Sequence, residues 1–500
     1  MVELTWVSLG AAALVSLIAY VLWKQTYWRR RGVVQTQPRF LIGDMWEAMW
    51  KKSAGQVLEA ICKKYEKEPF VGAYKVLTPV LVVKDPEIIA EVLVKNFTSF
   101  GNNEVTFSAK DDGVFSENPF GADIERWKEL RTKMMQSFTT ARIRTVFEDF
   151  LTSSRCLADF VAAAGPDATL DGTLLCKRFT AHASARVLFG IESHSLEAGS
   201  EPGAFYDSGN RVFNGGWLQS LRFFAFFFFP PLLRIIGSEL VVSDTVDFFR
   251  KLIQDSVEYR QKEGLARDDF VQHAAKVLIV DGKVDKVALK KLTHQAINSF
   301  IETFETSALT LASALLLLAT HPEEQERVRA ELREHLQPGQ PLDYETVNTL
   351  PFLDQVFKET MRLFPPADTI RRRCTRAARL ESASGRSVLV EPGTPVYVPV
   401  EAVHHDPALY SHPVEFWPDH FSPEEVAGRP KATYLGFGDG PRQCPGSRFA
   451  SVKVKTALAT LVQRFEMVPA ERQVLPLRRD PTTVMINYQG GNWLKFRPVS

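Results

Sequence analysis

One cysteine in a glycine-rich string constrains this chain more than any other feature: Phe437-Gly438-Asp439-Gly440-Pro441-Arg442-Gln443-Cys444-Pro445-Gly446. Three glycines and two prolines surround a single thiol, and an apolar helical pattern follows through Ala450, Val454, Ala457 and Leu461. A loop this tight brings backbone N–H groups close to whatever the sulfur holds, and an adjacent helix N-terminus favours a thiolate. A lone thiolate among backbone donors is one way to ligate haem iron. For an isolated cysteine the ordinary reading is a glycine-rich turn around a buried thiol; the complete ten-residue string reverses it.

Bulk properties narrow the class. The 500 residues are 45% hydrophobic, and 60 Lys and Arg against 59 Asp and Glu leave a net charge of +1, which argues against nucleic acid as the main partner. Cys62, Cys156, Cys176, Cys374 and Cys444 are odd in number and scattered, so they form neither a disulfide framework nor a C-x-x-C zinc site and fit a reducing compartment. Leu4–Trp23 carries no charge and makes about 30 Å of helix, enough to cross a bilayer core. Lys24, Arg29, Arg30 and Arg31 follow it, whereas in a secretory signal the positive charge precedes the apolar run. The expectation is an anchor at residues 1–31 with the remaining chain on the cytosolic side.

Helical periodicity is expected at Ala54–Tyr65, Pro86–Val94, Arg126–Phe138, Thr140–Ala164, Val246–Lys262, Val287–Thr320, Pro322–Leu336, Tyr344–Leu363 and Arg448–Phe465. Val71–Val83, Ser387–Val400 and Thr483–Phe496 read as strands. No Pro/Gly/Ser linker divides them. The predicted fold is mainly α with small β-sheets, a single large domain over residues 32–500, rather than the three domains length alone suggests.

Other strings carry weaker signals. The longest helical run holds Glu305-Thr306-Ser307, polar residues in an apolar stretch that are ordinarily a solvated face. Glu359 and Arg362 have the spacing of a surface ion pair. Trp127 and Arg131 lie one helical turn apart, and Arg371-Arg372-Arg373 would ordinarily be an exposed basic run. Phe223–Phe229, followed by Pro230 and Pro231, is too short to span a bilayer; buried core is its default reading.

Taken together, these strings resemble the cytochrome P-450 family over essentially the full length. The resemblance implies haem b held by an axial thiolate from Cys444, with Phe437 and Arg442 in the binding loop and Trp127, Arg131 and Arg372 reaching the propionates, a task suited to the planar guanidinium fork. It makes Thr306 and Glu305 the catalytic pair, organising water and delivering protons. It turns Glu359-x-x-Arg362 into a buried lock completed near Phe416–Phe421. Phe97–Phe120, with Asn102, Asn103, Thr106 and Phe107, becomes a loop roofing the pocket, and the Phe-rich run becomes a hydrophobic lid. The implied reaction inserts one oxygen atom from O2 into a lipophilic small molecule, with electrons from an NADPH-cytochrome reductase and cytochrome b5 as a further partner, at the endoplasmic reticulum membrane. Tyr27–Gly32, Arg267-Asp268-Asp269-Phe270 and Gly490–Leu494 look most like the microsomal insect xenobiotic-metabolising branch.

Three departures stand out. Glu302-Thr303 occupies the place of the family's usual Ala-Gly, so a bulkier side chain is expected to crowd the dioxygen groove and lower coupling. His420 stands where Arg is common and offers fewer donors. Pro445 replaces an aliphatic residue and removes an N–H beside the sulfur. Two rival functions follow: a haem-thiolate isomerase or dehydratase that needs no oxygen activation, favoured by Glu302 and Thr303, and a membrane-tethered haem or lipid binder, which has no use for Glu305, Thr306 and Arg131.

Overall fold

The β-branched stretch expected as one strand doubles back on itself. Phe70–Lys75 pairs antiparallel with Thr78–Val83, from Phe70 opposite Val83 to Lys75 opposite Thr78. Val76 takes a left-handed φ of 57°, which a two-residue hairpin turn demands. Val80, Leu81, Val82 and Val83 are all buried, the continuous apolar run of a strand covered on both faces. A computed structural model describes residues 2–49, 51–105, 113–135, 138–229, 232–237, 239–280, 283–337, 339–480, 485 and 487–499. These fall into two units: Met1–Glu104 with Ala367–Pro413 and Arg429–Gln443, and Val105–Pro366 with Val414–Gly428 and Cys444–Ser500.

The first unit is built on a five-stranded sheet. Pro395–Pro399 lies parallel to Thr78–Val83 and antiparallel to Thr369–Arg373, whose far edge takes the short strand Asn102–Asn103. Asn102 and Asn103 are thus an edge strand rather than loop; Thr106 and Phe107 lie outside the described residues. The expected strand Ser387–Val400 is two strands in different sheets, Ser387–Val390 and Pro395–Pro399. Helix Val2–Lys24 exposes Trp6, Leu9, Leu14, Val15 and Leu22, while Val21 and Trp28 are buried.

The second unit is mostly helical, so the expectation of helices with small sheets holds. Its axis is Lys286–Thr320, about 52 Å long, started by the Asp285 side chain accepting from Val287 N–H. Among the described residues this helix is long and apolar enough to cross a membrane, but it is the buried core of the unit. Gly172–Ser184 and Ser447–Arg464 pack on it. The expected helix Thr140–Ala164 breaks at Val146, and Tyr344–Leu363 breaks at Leu350, where Pro351 opens the next helix. The Phe-rich run ends helix Trp217–Phe228, with Phe223 and Phe226 in the core and Trp217 78% exposed.

One charged cluster lies in this interior. Arg362 donates from Nε and Nη2 to the two oxygens of Glu359, each at 2.8 Å, and from Nη2 to the Glu415 carbonyl at 2.9 Å. Trp417 N–H reaches Glu359 at 2.9 Å and His420 Nδ1 lies 3.1 Å from it; the Glu359, Arg362 and His420 side chains are fully buried. Burial pushes the Glu359 carboxyl up, but the Arg362 and His420 hydrogen bonds outweigh it and hold it below 4.5. The resulting stabilisation is present above that value and lost as pH falls through the lower folded-state one. Arg362→Met is expected to cost about 3–5 kcal/mol by stranding a buried carboxylate, read as a drop in the urea midpoint. His420→Arg is expected to retain the midpoint.

Candidate functional site

Two left-handed glycines shape the cysteine loop. Gly438 and Gly440 have φ of 73° and 72°, and a Cβ on Gly440 would collide with the Leu93 carbonyl. Glycine is therefore required at Gly440 by conformation and by space. Asp439 accepts from Gly440 N–H at 2.7 Å, and Gln443 N–H closes a turn on the Gly440 carbonyl at 3.0 Å. Phe437 and Arg442 belong to this segment of the first unit.

Cys444 opens the last segment of the second unit. The helix after it begins at Ser447 with Gly446 as its N-cap, so Pro445 precedes the helix instead of occupying its first turn. Cys444 as a residue is exposed, yet the protein packed around its sulfur disfavours charge and pushes the thiol up to about 11. Gly446 N–H, hydrogen-bonded to the sulfur, pulls the other way; Glu302 raises the value and Arg131 lowers it. Burial thus favours the neutral thiol over the thiolate in the protein alone.

On the long helix, Asn298, Glu302 and Thr306 follow one another at i, i+4 spacing on one face. Asn118 Nδ2 donates to Glu302 at 2.9 Å and to Asn298 Oδ1 at 3.2 Å, and Asn298 Nδ2 donates to the Val114 carbonyl at 2.8 Å. Burial pushes Glu302 up to about 7, against the Asn118 hydrogen bond and the Arg131 charge, both of which lower it. The Thr306 hydroxyl donates to the Glu302 carbonyl at 3.0 Å. Glu305 points elsewhere: Lys177 Nζ on helix Gly172–Ser184 is 2.9 Å away, and burial raises its carboxyl although Lys177 opposes this. Thr303 also turns to that helix, with its hydroxyl 3.0 Å from Ser184 Oγ. Its bulk is accommodated there, which removes the basis for expecting it to crowd the face of Glu302 and Thr306.

Trp127 is buried and Arg131 follows it by one turn of helix Ile124–Met135. Burial lowers the Arg131 pKa, while the charges of Cys444 and Glu302 raise it, which places Arg131 within electrostatic reach of the sulfur. In the first unit Arg372 is buried rather than part of an exposed run. It bonds Asn103 Oδ1, its Nε is buried without a hydrogen-bond partner, and burial pulls it down to about 10. Among the described residues this guanidinium has no anionic partner, and a haem propionate is a fitting one. In the second unit Cys444 has the chemistry of a haem-iron ligand, and in the first unit Arg372 with its orphaned Nε has the chemistry of a propionate partner.

Reading the sequence singled out Cys444, Arg131, Trp127 and Arg372 but missed Lys177, Asn118 and Lys453. Lys453 carried a signal: a lysine inside the apolar pattern from Ala450 to Leu461.

The family model for cytochrome P450 matches residues 35–493. The chain is 31% identical over 502 residues to probable cytochrome P450 6a18 of Drosophila melanogaster, covering 98% of both chains. It is 31% identical over 509 residues to cytochrome P450 6k1 of Blattella germanica, covering 97% of this chain and 95% of the relative. Cytochrome P450 9e2 of Blattella germanica is 28% identical over 530 residues, with 98% of both covered. With that loop, that buried arginine and likeness from end to end, the chain belongs to the cytochrome P450 family of haem-thiolate monooxygenases.

Proposed function

We propose that this enzyme inserts one oxygen atom from O2 into a lipophilic small molecule, with NADPH-derived electrons from a flavoprotein reductase and cytochrome b5 as a second donor. The observation that carries the reading is the Cys444 sulfur with its Gly446 N–H donor in a loop that only glycine at Gly440 permits. Haem b bound there supplies the oxidising chemistry. Trp127, Arg131, Arg372, Phe437 and Arg442 hold and orient it. Apolar helix Val2–Lys24, followed by Arg29, Arg30 and Arg31, anchors the chain in the endoplasmic reticulum membrane, and residues 32–500 act as the catalytic domain in the cytosol.

Thr306 holds water through its hydroxyl, and Glu305 supplies protons from the neighbouring helix position. The Lys177 pair gates that supply, because a carboxylate bound to an ammonium is a poor proton carrier. Glu302 is the second acid, and with a pKa of about 7 it changes charge near neutral pH.

Three outcomes are expected. Cys444→Ser abolishes the red-shifted Soret band of the reduced carbon monoxide complex and Cys374→Ser keeps it; the reverse result would identify the other thiol as ligand. Protease added to intact microsomes digests the catalytic domain, whereas complete protection would place it in the lumen. Because Glu302 is raised in the folded state, it destabilises the fold as pH climbs from 4.5 through about 7. Glu302→Gln should therefore raise the melting temperature more at pH 8 than at pH 5, and an equal change at both would remove Glu302 as a buried acid.

A further inference from the structure

Lys453 lies inside the second unit, on the helix that follows the cysteine, and is fully buried. Its Nζ donates to the Thr303 carbonyl at 2.6 Å and lies 5.4 Å from the centre of the Phe449 ring. Phe449 is itself fixed edge-on by Phe138 and Phe150, at 5.5 and 4.9 Å between ring centres. The amine is thus held on one side by an aromatic face and on the other by one carbonyl of the long helix. An ammonium buried this way is costly, and burial pulls its pKa down to about 7.

The carbonyl it holds belongs to an unusual turn. Thr303 Oγ1 donates to the carbonyls of Ser299 and Phe300 at 3.0 Å each, Thr306 Oγ1 to Glu302 at 3.0 Å, and Thr310 Oγ1 to Thr306 at 2.9 Å. With Lys453 on Thr303, five carbonyls between Ser299 and Thr306 accept a side-chain donor as well as serving the helix. Hydroxyls that bond back in this way compete with the backbone ladder and bend helices. This turn is therefore weakened from within, at the residues that carry Glu302 and Thr306. Outside partners hold the side chains of this turn, Asn118 on Glu302, Lys177 on Glu305 and Ser184 on Thr303, while Lys453 holds its backbone at the Thr303 carbonyl.

We propose that Lys453 is a positioning residue for the oxygenation reaction: its amine grips the Thr303 carbonyl and fixes the weakened turn, hence the Thr306 hydroxyl, against the helix that follows Cys444. The inference rests on the reading of Thr306 as part of the proton path. It assigns Lys453 no contact with substrate or haem.

The test uses the full-length holoenzyme with its reductase and one lipophilic substrate. Lys453→Met keeps length and apolar bulk and removes the donor; Lys453→Gln keeps a donor that ends one atom short. Hydrogen-exchange protection across residues 303–310 and product formed per NADPH oxidised are measured together. The expected order is wild type, then Gln, then Met, with protection falling at least tenfold and coupling severalfold in Met while KM for substrate holds. Packing alone predicts no difference between Met and Gln, which are similar in volume. Wild-type protection and coupling in either variant, with an intact carbon monoxide band, would overturn the proposal, and so would lost protection with unchanged coupling. If Lys453→Met fails to hold haem, the Gln variant decides by the same two readings. Thr306→Ala runs beside them: full coupling there would overturn the proposal by removing the proton-path reading beneath it, while the Cys444→Ser spectrum reports separately on the haem-thiolate assignment.

Discussion

A helix of 35 residues buried along most of its length must satisfy every polar group it carries inside the protein, and that requirement organises the second unit. Asn298 and Glu302 meet Asn118, Thr303 meets Ser184 and Lys453, Glu305 meets Lys177, and Ser313 accepts from Tyr488 Oη at 2.6 Å. Lys177 and Ser184 come from one helix and Asn118, Lys453 and Tyr488 from three other segments, so the polar side chains of one helix fix the register of its neighbours. Apolar surface drives the packing without direction, and these hydrogen bonds supply the direction.

The same arrangement separates two acids that lie within one turn of each other. Glu305 has an ammonium at 2.9 Å, whereas among the described residues Glu302 has an amide donor and the more distant Arg131 charge. Burial raises both, but the compensation differs in kind: a formal charge for one, a dipole for the other. Environments of this sort let one helix present two carboxyl groups with different proton affinities, as general acid chemistry near neutral pH requires.

What was legible in the sequence was local. The cysteine loop is ten consecutive residues whose glycines have a conformational reason, Glu359 and Arg362 are three apart on one helix, and Trp127 and Arg131 are four apart. Helix Gly172–Ser184 was not read, because it is buried on nearly every side and shows no polar stripe. With it went Lys177 and Ser184, two of the residues that define the site. Asn103 and Arg372 are 269 positions apart and meet only because short strands pair, so neither the edge strand nor the burial of Arg372 had any local signature. The breaks at Val146 and Leu350 fall inside stretches whose periodicity continues on both sides, where Pro351 was the one punctuating residue.

The three departures from the family pattern prove to be compensated differently. His420 donates fewer hydrogen bonds than an arginine, but Trp417 N–H and the Glu415 carbonyl share the work around Glu359 and Arg362. The Thr303 hydroxyl is taken up by Ser184. Pro445 is the one with a direct consequence for the ligand. It withholds an N–H at the position next to the sulfur, leaving the Gly446 N–H to stabilise charge there. Burial outweighs that hydrogen bond and leaves the thiol near 11. Fewer donors would also leave more electron density on a metal-bound sulfur, because each hydrogen bond to a thiolate draws charge away from the metal. Scarce donors raise the proton affinity of a thiolate and its electron donation together.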